Sequence, residues 1–206
     1  GYDPGNFQSL IVGQKKEYGS RFDIIKEFWA YIPDDQQNLA QQVYSFFGAD
    51  AVNKVIHLYP DRAGNKTREQ LEQITTDSLA MKAAVESYGF SVFLYNEGAP
   101  TIYHWQQFRL WQLLFGEKLP LLPKVRIDEN EWANLCSAIL ISPLKKTNGK
   151  IELDKASEKK EELKRRPGLT TQLPSAMIYL LYGLYSDIIK KELSSYPDDL
   201  PENLTI

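Results

Sequence analysis

Two aspartates in this 206-residue chain stand where carboxylates can do chemistry. Asp3 is followed at once by a turn, Pro4 to Asn6, and then by a long two-stranded pattern. Asp61 closes a short apolar strand, Val55 to Tyr59, by way of Pro60. Carboxylates at strand ends suit a divalent-metal site for phosphodiester hydrolysis. There, acidic oxygens converge on ions roughly 3.5 to 4 Å apart, which activate a water and stabilise the leaving oxygen. Mg²⁺ or Mn²⁺, as one or two ions, fits oxygen ligands of this kind. Taken bare, an Asp beside Pro or Gly is also an ordinary turn or cap residue.

Other metal chemistries find few ligands. The chain has one cysteine, Cys136, and two histidines, His57 and His104, on different elements, so a His/Cys zinc site is excluded. Cys136 lies in a helical apolar pattern and reads as a small buried hydrophobe, in keeping with a reducing compartment. Apolar residues make up 43% and charged residues 25%, which describes a globular domain and excludes disordered and collagen-like classes. No apolar run approaches the roughly 18 to 20 residues of a membrane helix. The net charge of −3 means that any nucleic-acid contact must use a local patch. One candidate lies between Leu144 and Arg166, where nine Lys/Arg meet five acids. They include Lys145, Lys146, Lys150, Lys155, Arg165 and Arg166, with Glu152 and Glu158 among the acids. A solvated loop or helix face looks the same. The chain opens on Gly1 rather than Met, which reads as an excised or processed segment.

The elements that must position these residues follow from periodicity. Residues 7–16 and 21–32 read as two long strands joined through Gly19, with Gly1 to Asp3 as the end of a preceding strand. After Pro33, the spacing of Leu39, Val43, Phe46 and Phe47 predicts a helix, capped by Asp34 or Asp35 and stopped by Gly48. The strand Val55 to Tyr59 comes next, then a helix capped by Thr76 or Asp77 and closed by Gly89, then a strand over residues 90–96. Residues 101–115 predict a helix with an aromatic face that belongs to the core. A short strand at 122–127 and a helix at 130–142 follow. Residues 143–168 read as a largely irregular, charged excursion with a small hairpin near Lys150 to Leu153. An apolar helix starts near Pro174. Three strands, then helix, strand, helix, strand, helix is an α/β order, an antiparallel meander extended by parallel strands. It predicts a ribonuclease H-like fold with a mixed central sheet flanked by helices. The domain is expected over 1–190, the charged excursion being 144–168, with a frayed acidic tail over 191–206.

The segments GYDPGNFQSLIVGQ (1–14), LYPDRAGNK (58–66), FSVFLYNEGAP (90–100), 123–159 and TTQLPSAMIYLLYG (170–183) carry a further signal in their order. Together they resemble the C-terminal nuclease domain of phage terminase large subunits, the DNA-packaging proteins. The resemblance implies a metal-dependent DNA endonuclease that cuts concatemeric DNA during packaging. Asp3 and Asp61 match two of the family's metal-binding and catalytic acids. The third family position, an Asp in the last helix, falls on Ser175, a poor Mg²⁺ ligand without charge. This predicts two good ligands and weakened binding of the second metal. Asp187 lies twelve residues on, about 18 Å along a helix, too far to replace it. Asp128, Glu129 and Glu97 are other acids after strands, otherwise read as caps or loop acids. Under the same resemblance, Arg62, Lys66, Lys145, Lys146, Lys150, Arg165 and Arg166 would contact the DNA backbone, with Arg68 beside them. It also implies double-stranded DNA, an upstream ATPase domain, a terminase small subunit and a portal as partners, in the cytoplasm of a bacterial host. A phosphate-binding GxxxxGK[ST] loop is not found in these residues. Two rival readings are a catalytically inactive ribonuclease H-like DNA- or protein-binding module and another polynucleotidyl transferase such as a resolvase or transposase.

Overall fold

The computed structural model describes residues 1–5, 7–31, 36–48, 54–61, 67–70, 73–95, 103–117, 119–147, 149–163 and 166–195, with backbone alone at 67–70, 73–75, 161, 189 and 192–195. Arg62, Lys66, Glu97, Arg165, the proposed caps Asp34 and Asp35, and residues 196–206 of the expected tail lie outside them.

The expected meander is present. Strand β1 (Tyr2–Asp3) pairs antiparallel with β2 (Phe7–Lys16), which pairs antiparallel with β3 (Arg21–Tyr31). Glu17, Tyr18 and Gly19 make the β2–β3 connection with positive φ, of which Gly19 at 91° needs no side-chain accommodation. Helix α1 (Gln36–Phe47) ends at Gly48, whose φ of 79° and N–H bond to the Tyr44 carbonyl make the left-handed stop. Strand β4 (Val55–Leu58) follows. The hairpin β5 (Thr67–Gln70) and β6 (Gln73–Thr76) comes next and was not expected. Its residues TREQ and QITT lack the apolar alternation by which a half-buried strand announces itself. Helix α2 (Asp77–Glu86) is capped by Thr76, whose hydroxyl accepts from the Leu79 N–H at 3.2 Å. Strand β7 (Ser91–Leu94), helix α3 (His104–Phe115), strand β8 (Lys124–Arg126) and helix α4 (Ala133–Ile141) complete the middle of the chain.

The hairpin expected near Lys150 to Leu153 is present, and the described residues around it, read as largely irregular, form a second strand and regular turns. Strands β9 (Leu144–Thr147) and β10 (Lys150–Leu153) form a hairpin turning at Gly149, with φ of 79°. Three 3₁₀ turns, Lys155–Lys159, Glu161–Leu163 and Pro167–Leu169, carry the chain to helix α5 (Gln172–Ser195). Hydrogen bonds to local carbonyls rather than apolar periodicity hold these turns, so the sequence pattern did not show them. Helix α5 runs past the expected boundary at 190 and is bent at Tyr185.

One register shift organises the sheet. Val12 faces Lys26 and Gly13 faces Ile24, leaving Ile25 as an extra residue in β3. An extra residue inverts the alternation of faces. Phe22 and Ile24 therefore pack on one side of the sheet, Phe28 and Ala30 on the other. Helices α1 and α2 cover the Phe28 side through Leu39, Val43, Met81 and Val85. Helices α3, α4 and α5 cover the Phe22 side through Leu110, Leu114, Leu135, Leu173 and Met177. The α3 aromatics Phe108 and Trp111 are buried, as expected of a core face.

Strand β8 lies parallel to β3, and β7 parallel to β4. A parallel bridge between Tyr2 and Pro60 joins the two groups, with Tyr2 N–H donating to the Tyr59 carbonyl at 3.0 Å and Asp61 N–H to the Tyr2 carbonyl at 2.9 Å. Strands therefore lie in the order β8, β3, β2, β1, β4, β7, and only β2 runs against the rest. The fold is α/β with a mixed sheet flanked by helices. Among the described residues, no helix is long and apolar enough to cross a membrane.

Candidate functional site

The bridge that joins β1 to β4 sets the two sequence-derived aspartates side by side. Tyr2 buries its ring in the α1/α2 cluster, so alternation turns its neighbour Asp3 to the opposite face, toward α5. Tyr59 belongs to the α5-side cluster, and Asp61, two residues on, shares its parity. Because Tyr2 pairs with Pro60, Asp3 and Asp61 are neighbours at adjoining strand ends. Asp61 is half-buried, whereas Asp3 is only 5% exposed. Asp3 Oδ1 accepts from the Gly5 N–H at 3.0 Å, which fixes the carboxylate over its own turn.

Burial pushes the Asp3 carboxyl up to about 7. The Lys155 ammonium opposes that rise, the Glu158 and Asp61 carboxylates add to it, and the Gly5 N–H opposes it. Two residues of the charged excursion thus lie within electrostatic reach of Asp3. Their 3₁₀ turn, begun by Asp154 accepting from the Ala156 N–H at 3.0 Å, brings Lys155 Nζ within 3.8 Å of Glu158 Oε1. The Thr171 hydroxyl donates to the same Glu158 oxygen and fastens the turn to the start of α5.

Helix α5 supplies the floor. Gln172, Ser175 and Tyr179 are three and four residues apart, hence on one face, and all are buried. Gln172 Oε1 accepts from the Phe7 N–H at 3.4 Å, and Ser9 Oγ donates to the Gln172 carbonyl at 3.2 Å, so the helix start is tied to β2. Gln172 Nε2 and Ser175 Oγ are buried with no hydrogen-bond partner among the described residues. The Nε2 end lies against Gly5, where a Cβ would stand 1.9 Å from it and 3.3 Å from Asp3 Oδ1. A Cβ there would push the Gln172 amide aside. The Tyr179 phenol receives Gln107 Nε2 at 3.5 Å, and its pKa is raised well above the usual value by burial, then by Asp3, Asp61 and Glu158. His104, first in α3, is held below its ordinary pKa by burial and by Lys155, against the pull of Glu152 and Glu158.

The structure places the other expected residues in several parts of the fold. Ser175, where the resemblance expects the third ligand, is in the first turn of α5, buried on the face it shares with Gln172 and Tyr179. Lys145 pairs with Glu152 at 3.4 Å, and Lys150 lies 4.5 Å from the Trp105 ring centroid. Lys146 and Arg166 are exposed. Asp128 accepts from the Asn130 N–H at 3.0 Å and Glu129 is exposed, both in the turn leading to α4. Asp187 is exposed on α5, and half-buried Cys136 has its thiol pKa raised by burial. His57 is bonded to the Tyr95 hydroxyl at 2.9 Å.

Sequence reasoning placed Glu158 and Lys155 in a DNA-binding stretch and overlooked Gln172 and Tyr179 altogether. The available signal was a polar residue at 172, 175 and 179 in the otherwise apolar start of the helix, residues 172–181. Among the described residues, no three His, Cys, Asp or Glu side chains converge on a single ion as they stand. The cluster is two adjoining carboxylates, one of them buried, with a third carboxylate and an ammonium within electrostatic reach and unsatisfied amide and hydroxyl groups on the adjoining face of α5. Such a set can take up a small cation together with an oxygen-rich anion. No protein-family model, curated sequence or solved structure matches this chain.

Proposed function

We propose that this chain is a metal-dependent DNA endonuclease domain of the phage or prophage terminase large-subunit kind, on a ribonuclease H-like fold. The observation that carries the reading is the pairing of β1 with β4, which puts Asp3 and Asp61 on one face at adjoining strand ends. The strand order supports it, since a three-strand meander is continued through its first strand by parallel strands β4 and β7. Ligands collect at such carboxyl ends of parallel strands.

The donor set fits Mg²⁺ or Mn²⁺. Asp3 and Asp61 offer hard oxygens, and their repulsion in a buried place is relieved by a cation. The bound metal would activate water and stabilise the leaving oxygen of the phosphodiester. Asp3, held by the Gly5 N–H, and its neighbour Asp61 would be the two carboxylates that hold the ion. Gln172 Nε2 is placed to donate to an oxygen held over Asp3. Double-stranded DNA would lie along the side bearing Lys145, Lys146, Lys150 and Arg166, with Arg62, Lys66 and Arg165 the further candidates. An ATPase domain, a small subunit and a portal are the partners this reading implies.

Calorimetric titration with Mn²⁺ and a plasmid-nicking assay test it together. Wild-type protein is expected to bind Mn²⁺ and nick, and Asp3→Asn and Asp61→Asn each to lose at least 100-fold of the nicking rate. Absence of binding at millimolar Mn²⁺ would leave a silent ribonuclease H-like module.

A further inference from the structure

We propose that Glu158, on the 3₁₀ turn between β10 and α5, supplies the third carboxylate of this site in place of the last-helix position occupied by Ser175, and that Lys155 holds the cation's place until metal enters. The inference rests on the metal-nuclease reading of Asp3 and Asp61 and concerns how that site is completed.

Three observations carry it. Glu158 is docked rather than adrift. Its Oε1 takes the Thr171 hydroxyl, and Thr171 immediately precedes Gln172, whose amide packs against Gly5 and Asp3. The turn thereby stands over the same start of α5 that holds Ser175. Glu158 is also matched by charge. Lys155 Nζ lies 3.8 Å from it, with side-chain exposures of only 19% and 16%, an unusual depth for an ammonium and carboxylate on a surface turn. Buried or half-buried ammonium groups among several carboxylates stand where a cation is favourable. Finally, the floor lacks partners. Gln172 Nε2 and Ser175 Oγ are buried and unbonded among the described residues, and the amide end is fixed in direction because Gln172 Oε1 accepts from Phe7. A buried amide donor without an acceptor calls for an oxygen from outside the chain, such as a metal-held water or a phosphate oxygen.

Ser175 is thus accommodated. A carboxylate there would be wholly enclosed, whereas Glu158 on the Lys155–Lys159 turn is half-buried and would approach the ion from nearer solvent. Taking up metal requires Glu158 to turn about its side-chain torsions, exchanging Lys155 for the ion. Lys155 is then free to meet phosphate.

Mn²⁺ calorimetry and melting curves on full chains of wild type, Asp3→Asn, Glu158→Gln, Glu158→Ala and Glu162→Gln decide the matter, with nicking as a second readout. Both Glu158 variants are expected to bind Mn²⁺ at least 10-fold more weakly and to lose most of the Mn²⁺-induced rise in melting temperature. Glu162→Gln, at an exposed position on the next turn, is expected to match wild type. Lys155→Met is expected to bind Mn²⁺ more tightly than wild type, because the competing ammonium is gone. Wild-type affinity in either folded Glu158 variant, with Asp3→Asn still defective, overturns the inference and leaves the nuclease reading standing. Wild-type protein that binds no Mn²⁺ overturns both.

Discussion

Asp3 works against the stability of the domain that holds it. Its carboxyl is raised from 3.8 to about 7 in the folded protein, by burial first and by Glu158 and Asp61 among its charged neighbours, against Lys155 and the Gly5 N–H. Between those two values the folded protein holds a proton that the unfolded chain has released. Stability from this residue therefore falls as pH rises through that window, by a total on the order of 4 kcal/mol. Asp3→Asn removes the penalty. We expect the variant to melt several degrees above wild type at pH 8 without metal and close to wild type at pH 4. Mn²⁺ should reverse the order at pH 8, stabilising only wild type. A variant no more stable than wild type at pH 8 would contradict this account. At this scale the sequence showed Asp3 and Asp61, because a strand followed by Asp and a turn is a local pattern. It could not show that Glu158 and Lys155 come within electrostatic reach of Asp3, since that depends on a turn fastened to the start of α5 by the Thr171–Glu158 bond.

Elements legible from the sequence are those with an apolar pattern bounded by turn residues: β1 to β4, β7, β8, the β10 side of its hairpin, and α1 to α5. Those held by local polar bonding, the β5–β6 hairpin and the 3₁₀ turns before α5, left no such trace. The bulge in β3 is an intermediate case. Gly13 in a strand pattern hints at a close approach, and the structure gives the reason, since a Cβ there would stand 2.2 Å from Phe22 Cε1 and 3.2 Å from the Asp23 carbonyl oxygen. The Phe22 ring lies across Gly13 and closes the α5-side core where the face of β3 changes. Gly13→Ala should push that ring aside at a cost of about 1 to 3 kcal/mol, the usual range for overpacking. Urea unfolding would show it as a lower midpoint at unchanged slope. The site lies beyond the bulge, at the other end of β2, so Mn²⁺ affinity should remain within a few-fold of wild type.

Taken as a whole, the molecule carries a net charge of −3, so its overall field does not draw it to DNA and any grip must be local. The cations that composition grouped into one patch are not equivalent in three dimensions. Lys145 is shared with Glu152, Lys155 with Glu158, and Lys150 lies against Trp105. Lys146, Lys159 and Arg166 are exposed on the hairpin and turns that border the acidic cluster. Composition revealed the charges, and only the β9–β10 hairpin with its following turns shows which of them face solvent. Phosphate contacts release condensed counterions, so the logarithm of the DNA affinity should fall linearly with the logarithm of salt, by about 0.9 for each phosphate neutralised. Fluorescence anisotropy on a duplex between about 50 and 200 mM salt, with Ca²⁺ to hold off cleavage, measures that slope. Replacing Lys146, Lys159 and Arg166 by Gln, one at a time, should lower its magnitude by about 1 each and weaken binding alike across sequences. Lys82→Gln, on α2 beyond the opposite face of the sheet, should leave the slope unchanged. If all four variants behaved alike, DNA would not lie on the side where Asp3 and Asp61 open, and cleavage there would lose its substrate.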